Sequence, residues 1–206
     1  MADRLNTNAH HLIFAWGVVP DDFHKRQIPA DIAQRGIAKV TCGQGHVLIL
    51  TNDGLVLSAG DNRYGQCARD PANQSISLSA FNLEAVKIVD IACGSYHSLV
   101  LGEGAGKRKV FSFGHELGSG FEDKQHRPTP TEFSIPIETE QVKAVYAGFN
   151  HSAVVTRTGK LFMWGEFFTG ERVRRAKQIR TELAEGTEVK KIALGRKHAV
   201  LLEGKD

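Results

Sequence analysis

The stretch VTCGQGHVLIL, at residues 40–50, occurs in four related forms along the chain. The other copies read IACGSYHSLVL (91–101), YAGFNHSAVV (146–155) and ALGRKHAVLL (193–202). Each copy, which we call an anchor, has an apolar pair, Gly, two variable residues, His and an aliphatic run. The anchor glycines lie 51, 54 and 47 residues apart, and the histidines keep these intervals. Self-similarity at a period near 50 predicts a stack or ring of repeated supersecondary units.

A second motif, a short apolar run that ends in Gly, also recurs along the chain. Its copies read LIFAWG (12–17), LVLSAG (55–60), VFSFG (110–114) and KLFMWG (160–165). Runs of β-branched and aromatic residues that stop at Gly predict β-strands. Asp53-Gly54 and Thr158-Gly159 precede two of the runs, and Gly accepts the positive φ that tight hairpins require. Residues 102–109 predict a longer, flexible, basic hairpin tip in the second repeat.

The connections between repeats vary. Residues 61–68 form the most regular loop, and residues 115–120 are a shortened version of it. Residues 29–36 and 181–186 each predict one helical turn. The hairpins are therefore the regular part of the chain, and variation is confined to their connections.

Composition and charge restrict the class of protein. Of the 206 residues, 41% are hydrophobic and 24% are charged, which is ordinary for a globular domain. The net charge of +3 is too small to indicate nucleic-acid binding by itself. No apolar run approaches the roughly 20 residues that span a bilayer, so we expect no membrane partner. Residues 1–11 form a polar tail without the apolar core of a signal peptide.

The three cysteines are an odd number without a C-x-x-C pair, which favours a reducing, intracellular compartment. Cys42 and Cys93 take the anchor position that Ala147 and Leu194 fill in the other copies. We therefore expect both to be small buried side chains. Cys67 is predicted in a turn and is the candidate for a reactive thiol.

The repeat resembles that of the regulator-of-chromosome-condensation (RCC1) family of β-propellers. That family's unit reads roughly G-x-x-H-[ST]-x-x-L, a D-G turn, V-x-x-W-G, N-x-x-G-Q-L-G and Pro. The matching positions in the first two repeats are Gly43, His46, Asp53, Gly54, Gly60, Asn62, Gly65, Gln66, Gly94, His97, Ser98, Leu101 and Gly114. Those in the last two are Gly148, His151, Ser152, Gly159, Trp164, Gly165, Gly195, His198 and Leu201. The third and fourth connecting loops lack the G-Q-L-G element.

The resemblance covers residues 12–203 and implies an all-β fold of RCC1-like β-propeller repeats, with about four blades in a short or partial ring. We assign residues 1–11 to a polar N-terminal tail and residues 12–206 to the repeat domain. The family's ring usually has seven blades. A small ring of four, a larger ring of two chains, and an open arc covered by a partner all fit the sequence, because a blade needs neighbours on both faces.

Four equivalent histidines raise the question of a metal site, since converging imidazoles bind zinc. No repeated carboxylate accompanies them as the second ligand shell that metal-bound histidine usually has. We therefore predict a structural role, with each imidazole bonded to backbone groups of its own or an adjacent blade, and no cofactor. The structural repeat positions are Gly43, His46, Gly94, His97, Gly148, His151, Gly195 and His198.

Catalysis is not predicted. His97-Ser98 and His151-Ser152 are adjacent pairs, but consecutive side chains on a strand point to opposite faces, so neither pair forms a dyad with itself. The sequence contains no nucleophile elbow, phosphate-binding loop or H-E-x-x-H motif.

A basic stretch at residues 171–180 is the candidate partner-binding site. Its cations and the two neighbouring phenylalanines are Arg172, Arg174, Arg175, Lys177, Arg180, Phe167 and Phe168. One interpretation is a solvated loop or strand edge; the other is a contact with an acidic protein surface or a nucleic-acid backbone. Residues 107–109 would add to such a contact if the two tips share a face. No aromatic residues are interleaved, so base stacking is not indicated.

The resemblance implies several functions: nucleotide exchange on a small GTPase, chromatin binding, ubiquitin-ligase or ciliary scaffolding, and ultraviolet photoreception. Trp16 and Trp164 stand in strand positions, which argues against a tryptophan-based photoreceptor. We predict a non-catalytic protein-protein interaction or scaffold module inside a larger assembly, in the cytoplasm, nucleus or cilium. The alternatives are a guanine-nucleotide exchange regulator of a small GTPase, and chromatin or nucleic-acid backbone binding through residues 172–180.

Overall fold

The computed structural model describes residues 29–72, 78–137, 141–167, 169–179 and 187–205. Their strands form three four-stranded antiparallel sheets and one two-stranded sheet, which we call blades 1 to 4. Within each blade the strands follow one another in chain order, so every blade is an antiparallel meander. The prediction of an all-β fold with four blade-like repeats is confirmed.

The strands of each blade have the following bounds. Blade 1 contains β1 (Ile37–Cys42), β2 (His46–Thr51), β3 (Val56–Gly60) and β4 (Ser79–Phe81). Blade 2 contains β5 (Lys87–Cys93), β6 (His97–Gly104), β7 (Lys107–Gly114) and β8 (Arg127–Phe133). Blade 3 contains β9 (Val142–Ala147), β10 (His151–Thr156), β11 (Leu161–Glu166) and β12 (Arg172–Ile179). Blade 4 contains β13 (Glu188–Leu194) and β14 (Ala199–Gly204).

Each anchor forms the tight turn between the first two strands of its blade. In all four anchors the Gly N–H donates a hydrogen bond to the C=O of the His three residues on, at 2.8 or 2.9 Å. The apolar runs predicted at residues 55–60, 110–114 and 160–165 lie in the third strands, as expected from their composition. The run at residues 12–17 lies outside the described residues, as does Trp16.

The outer strands β4 and β8 are not predicted from the sequence, and β12 only as one interpretation of the basic stretch. Pro128 and Pro130 interrupt β8, and proline is tolerated only in a strand whose N–H groups need no partner, such as this outermost one. The predicted flexible tip of blade 2 is wrong. It is a two-residue turn at Ala105 and Gly106, both with positive φ, which is the tight geometry that matches strand twist.

Two short helices accompany the strands. The turn predicted at residues 29–36 is α1 (Ala30–Gln34), and the one predicted at residues 181–186 lies outside the described residues. A second helix, α2 (Glu116–Ser119), occupies the connection after β7 that the sequence presents only as a shortened loop. None of the described helices is long and apolar enough to cross a membrane.

Apolar side chains hold the blades face to face. Each blade presents one face, which we call trailing, to the leading face of the next. The trailing faces of blades 1, 2 and 3 contribute Leu48 and Leu50, Leu99 and Leu101, and Ala153 and Val155. The leading faces of blades 2, 3 and 4 receive them with Ile88 and Ile91, Val142 and Val145, and Val189 and Ile192. All twelve side chains are buried, which makes these interfaces the core.

One carboxylate joins three blades near their inner strands. Asp90 in blade 2 accepts a hydrogen bond from the Lys39 ammonium of blade 1 at 2.7 Å and another from the Val145 N–H of blade 3 at 3.0 Å. Its side chain is only 14% exposed. A carboxylate held between a cation and a backbone donor stays satisfied at low exposure, so Asp90 fixes the relative positions of three inner strands.

The cysteines differ from their predictions in two places. Cys93 is buried as expected, but Cys42 is exposed, because no described blade packs on the leading face of blade 1 where Cys42 lies. Cys67 is not a reactive thiol. It is 1% exposed, and burial raises the pKa of its thiol to about 11, so the thiolate is scarce at neutral pH.

Candidate functional site

The spacing of Gly and His in the anchors has a steric cause. The imidazole of each anchor His folds back over the Gly of its own anchor. A Cβ added at Gly94 would lie far inside contact distance of the His97 ring, and the same holds at Gly43, Gly148 and Gly195. His97 is closed in from the other side by Gly118 at the end of α2. In blades 1 to 3 the anchor Gly and His are therefore in close-packed contact, and a structural role for the pair stays a prediction.

The imidazoles also link neighbouring blades. His46 Nε2 lies 2.8 Å from Ser98 Oγ of blade 2, and His97 Nε2 lies 2.8 Å from Ser152 Oγ of blade 3. Each serine hydroxyl donates its proton to a loop carbonyl, that of Gln66 or of Gly118, at 2.8 Å. The serine oxygen therefore accepts from the histidine, which fixes both imidazoles as Nε2–H donors. Backbone partners had been predicted; the actual partner is a side chain of the next blade.

These His–Ser pairs are not catalytic dyads. His97 and both serines are at most 1% exposed and His46 is 4% exposed, so no substrate reaches them. Burial lowers the pKa of His46 to about 4 and that of His97 to about 3, so both imidazoles are neutral at physiological pH. Among the described residues no group of three or more His, Cys, Asp and Glu side chains could hold a metal ion.

The contact of the anchor histidine differs between blades 3 and 4. The position of Ser98 and Ser152 is taken by Ala199 in blade 4, and alanine has no hydroxyl. His151 is buried and stacks on Phe167, with ring centroids 6.4 Å apart. His198, the corresponding histidine of blade 4, is exposed. The inter-blade bond therefore occurs twice in the described part of the chain.

The connecting loops and anchor turns lie at one end of the blades, which we call the loop face. Four rings meet there: Tyr64, Tyr96, His115 and His126 come from four separate segments of blades 1 and 2. Tyr64 makes edge contacts with the other three rings, at centroid distances of 5.5, 4.5 and 4.8 Å. The two imidazoles lie 4.8 Å apart. Three rings are half-buried and His126 is exposed, so the cluster forms part of the surface.

Backbone contacts hold this cluster in place. His115 Nδ1 caps α2 by accepting the Leu117 N–H at 3.2 Å, and His126 Nδ1 accepts the Glu116 N–H at 3.3 Å. Burial, and then the neighbouring His126, lowers the pKa of His115. In the sequence Tyr64 is one residue of the regular loop at residues 61–68. Nothing in the sequence brings the other three rings to it, because they are 32 to 62 residues away.

The basic stretch lies on β12, the outer strand of blade 3, which agrees with the strand-edge interpretation. Its arginines have carboxylate neighbours: Arg172 and Glu166 are 3.5 Å apart, and Arg174 and Glu116 are 4.0 Å apart. Arg175 bonds to Glu122, and this pairing raises the pKa of Arg175. Lys177 is exposed. Much of the local positive charge is thus offset by acidic residues.

The other residues predicted for this site differ in their outcome. Phe167 is partly buried and packs on the core between blades 3 and 4, so it serves packing. Phe168 and Arg180 lie outside the described residues. Residues 107–109 lie at the opposite end of their blade from the loop face, because Lys107 pairs with Gly104 at the far end of the β6–β7 hairpin. Arg172, at the loop-face end of β12, is therefore remote from residues 107–109.

A shallow cleft opens beside β12, between blades 2 and 3. The volume open to a water molecule is about 10 Å³, far below the roughly 300 to 1,000 Å³ that is typical of small-molecule sites. Its lining residues are Glu116, Leu117, Gly120, Gly165, Arg172, Val173 and Arg174. The cleft is too small to enclose a metabolite.

Comparison with known proteins agrees with this geometry. Sequence models of the family described as "Regulator of chromosome condensation (RCC1) repeat" match residues 37–66, 53–101 and 142–170. This chain carries RCC1 repeats. The matched segments include the anchors of blades 1, 2 and 3, whose packing is described above.

Several curated relatives share these repeats. The RCC1 domain-containing protein RUG3, mitochondrial, of Arabidopsis thaliana is 34% identical over 63% of this chain and 29% of its own length. The X-linked retinitis pigmentosa GTPase regulator of Homo sapiens is 31% identical over 64% of this chain and 13% of its own length. The human probable E3 ubiquitin-protein ligase HERC3 is 29% identical over 81% of this chain and 16% of its own length. The chain thus spans less than a third of these relatives.

Solved propellers superpose on most of the chain. Human WBSCR16 gives a TM-score of 0.74 at 20% identity, over 88% of this chain and 48% of that one. Prp20p from Saccharomyces cerevisiae gives a TM-score of 0.71 at 21% identity, over 89% of this chain and 46% of that one. At these identities the likeness shows the fold alone. The chain corresponds to just under half of each solved propeller.

Proposed function

We propose that this chain is a non-catalytic protein-binding module, a scaffold within a larger intracellular assembly, and that its partner contacts the loop face. The observation that carries the proposal is the partly exposed cluster of Tyr64, Tyr96, His115 and His126. Aromatic residues and Arg dominate the energetics of protein interfaces, and loops on a rigid frame are where binding residues concentrate. The rings are already positioned by α2 and the anchor turn, so little ordering cost remains on binding.

The arginines of β12 extend this surface. Arg172 and Arg174 line the cleft beside Glu116, next to the cap that His115 provides. Exposed ion pairs such as that of Arg175 with Glu122 contribute little to stability, so they can exchange for pairs with a partner. The proposed contact therefore runs from the aromatic cluster, across α2, to β12. It favours a partner with acidic side chains facing β12 and apolar ones facing Tyr64.

The test is affinity purification with crosslinking from native extract. The bait is the wild-type chain, a Tyr64→Ala/Tyr96→Ala variant, or the control Lys107→Ala, an exposed change at the opposite end of blade 2. We expect a partner that crosslinks to the loop face, is retained by the control and is lost by the double variant, with the thermal unfolding of all three reported alongside. Equal recovery by the double variant in its folded state would refute the proposed surface.

A guanine-nucleotide exchange regulator of a small GTPase is the second candidate. Its support is that one relative is named a GTPase regulator and that Prp20p is described by its binding to Gsp1p and histones. This chain covers under half of those proteins, so the scaffold comes first. A nucleotide-release assay against a GTPase panel discriminates the two: acceleration by catalytic amounts of the chain would replace the scaffold proposal.

Binding to a nucleic-acid backbone is the third candidate and has the least support. Arg172, Arg174 and Arg175 each have a carboxylate neighbour, and the basic residues near Lys107 are at the opposite end of their blade. Backbone binding weakens steeply with salt because counterions are released. DNA or RNA binding that is strong at low salt and lost with added salt would support it.

A further inference from the structure

Two faces at the ends of the row of blades are exposed where the equivalent faces elsewhere are buried. Val200 and Leu202 on β14 are 64% and 58% exposed. Their equivalents in the preceding anchors, such as Leu48 and Leu50 in blade 1, are at most 2% exposed because the next blade covers them. The trailing face of blade 4 therefore has the composition of an inter-blade interface without a described blade against it.

The complementary face lies at the other end. Val40 on β1 is 43% exposed and Cys42 beside it is exposed, whereas their equivalents in blade 2, Ile91 and Cys93, are buried against blade 1. Exposed and partly buried residues alternate along β1, so the open side is one continuous strand face. A trailing face and a leading face are thus both free in the described part of the chain.

The two open faces both lie on the first two strands of their blades. On blade 1, α1 already covers the outer part of the leading face, where Ile32 packs on Ile49 and Leu57. Among the described residues, none covers the inner part of that face around Val40 and Cys42. Blade 4 has two strands in the described residues, and these carry Val200 and Leu202.

We propose that two copies of this chain associate head to tail, with the Val200–Leu202 face of one copy packed on the Val40–Cys42 face of the other. The contact reproduces the inter-blade packing that the chain already uses three times, so its shape complementarity is built into the repeat. Because each copy corresponds to just under half of a solved propeller, two copies supply about one full ring. A heterologous contact that closes gives a ring with two identical junctions.

One feature of the junction is unfavourable and sets its strength. Lys191 lies opposite Leu202 in the β13–β14 pair and takes the position that Lys39 has in blade 1. Inside the chain Lys39 meets Asp90 of the next blade, but at the junction Lys191 meets Lys39 of the second copy. Like charges weaken the contact, so association is expected at micromolar or higher concentrations. Lys191→Asp restores an opposite pair and is expected to tighten association about tenfold.

The experiment is sedimentation velocity over a wide range of protein concentration. The wild-type chain should approach twice its monomer mass, Val200→Glu/Leu202→Glu and Val40→Glu should each remain monomeric, and the exposed-strand control Ala80→Glu should behave as wild type. Mixing the two monomeric variants should restore a dimer, because the intact leading face of one meets the intact trailing face of the other. Only a head-to-tail contact predicts that rescue.

Cys42 supplies a second measurement at the junction. Cys67 and Cys93 are buried, so Cys42 is the accessible thiol of the three. Its alkylation should slow as wild-type concentration rises and stay constant for Val200→Glu/Leu202→Glu. A wild-type chain that is monomeric throughout would overturn the proposal and assign the open faces to residues 1–28 or another protein. A dimer that Val40→Glu leaves intact would overturn it in favour of a symmetric contact.

Discussion

His97 in blade 2 donates its Nε2–H to Ser152 Oγ in blade 3 over 2.8 Å, and both groups are buried. Ser152→Ala leaves this donor without a partner, and a buried unsatisfied donor costs about 1–3 kcal/mol of unfolding free energy. Urea unfolding measures the loss. The control Ser134→Ala, at an exposed position, should change stability by less than about 0.5 kcal/mol. Equal effects of the two substitutions would contradict the inter-blade bond.

Acidification should destabilise the fold through the same histidines. Burial holds the pKa of His46 at about 4 and that of His97 at about 3, below the value near 6.5 of the unfolded chain. The unfolded state therefore binds more protons below pH 6.5, and the stability present above that pH is lost on the way to the folded pKa values. By pH 5 each histidine has lowered the free energy of unfolding by about 2 kcal/mol relative to neutral pH. Unfolding free energies for wild type and His97→Gln should differ in pH slope; equal slopes would oppose this account.

Gly94 tests the packing of the anchor. Its added Cβ would collide with the His97 ring, and overpacking of this kind costs about 1–3 kcal/mol. Gly106→Ala is the comparison, since Gly106 has open space around it and a φ of 73°, so only the backbone preference of about 1 kcal/mol is lost. Chemical unfolding should rank Gly94→Ala as the more destabilised. The opposite ranking would remove the steric explanation of the Gly-x-x-His spacing.

The thiols should react selectively. In the native chain a maleimide at mildly alkaline pH should modify Cys42 alone, because Cys67 and Cys93 are buried and burial raises the pKa of both thiols. Burial also raises the pKa of Cys42, hence the alkaline buffer. In denaturant all three thiols should react. Mass spectrometry counts the adducts, and fast native modification of Cys67 would show that its loop opens.

Most of the fold was predictable from the repeats in the sequence. Four anchors at a period near 50, with the Asp53-Gly54 turn, predicted the inner strands and their antiparallel pairing, because these features depend on residues close together in the chain. The outer strands were less predictable for a physical reason. Charged β12 and proline-containing β8 have one neighbour each and face solvent, so neither needs an apolar period of two.

The candidate site was less predictable. The basic stretch at residues 172–180 was visible in the sequence, but its carboxylate neighbours Glu116 and Glu122 come from blade 2, more than 50 residues away. The serine partners of the histidines were likewise hidden. Ser98 was considered beside His97, its neighbour in sequence, whereas its true partner is His46 in the preceding blade. Contacts between repeats depend on how the repeats stack, which no single motif encodes.

The protonation state of the anchor imidazoles tests most directly the claim that they serve packing and not reactivity. Long-range ¹H–¹⁵N NMR of histidine-labelled protein at neutral pH should show His46 and His97 as neutral Nε2–H tautomers, assigned by His46→Gln and His97→Gln. Added zinc should leave these resonances unchanged. Charged imidazolium rings, Nδ1–H tautomers or zinc-dependent shifts at either residue would contradict the account.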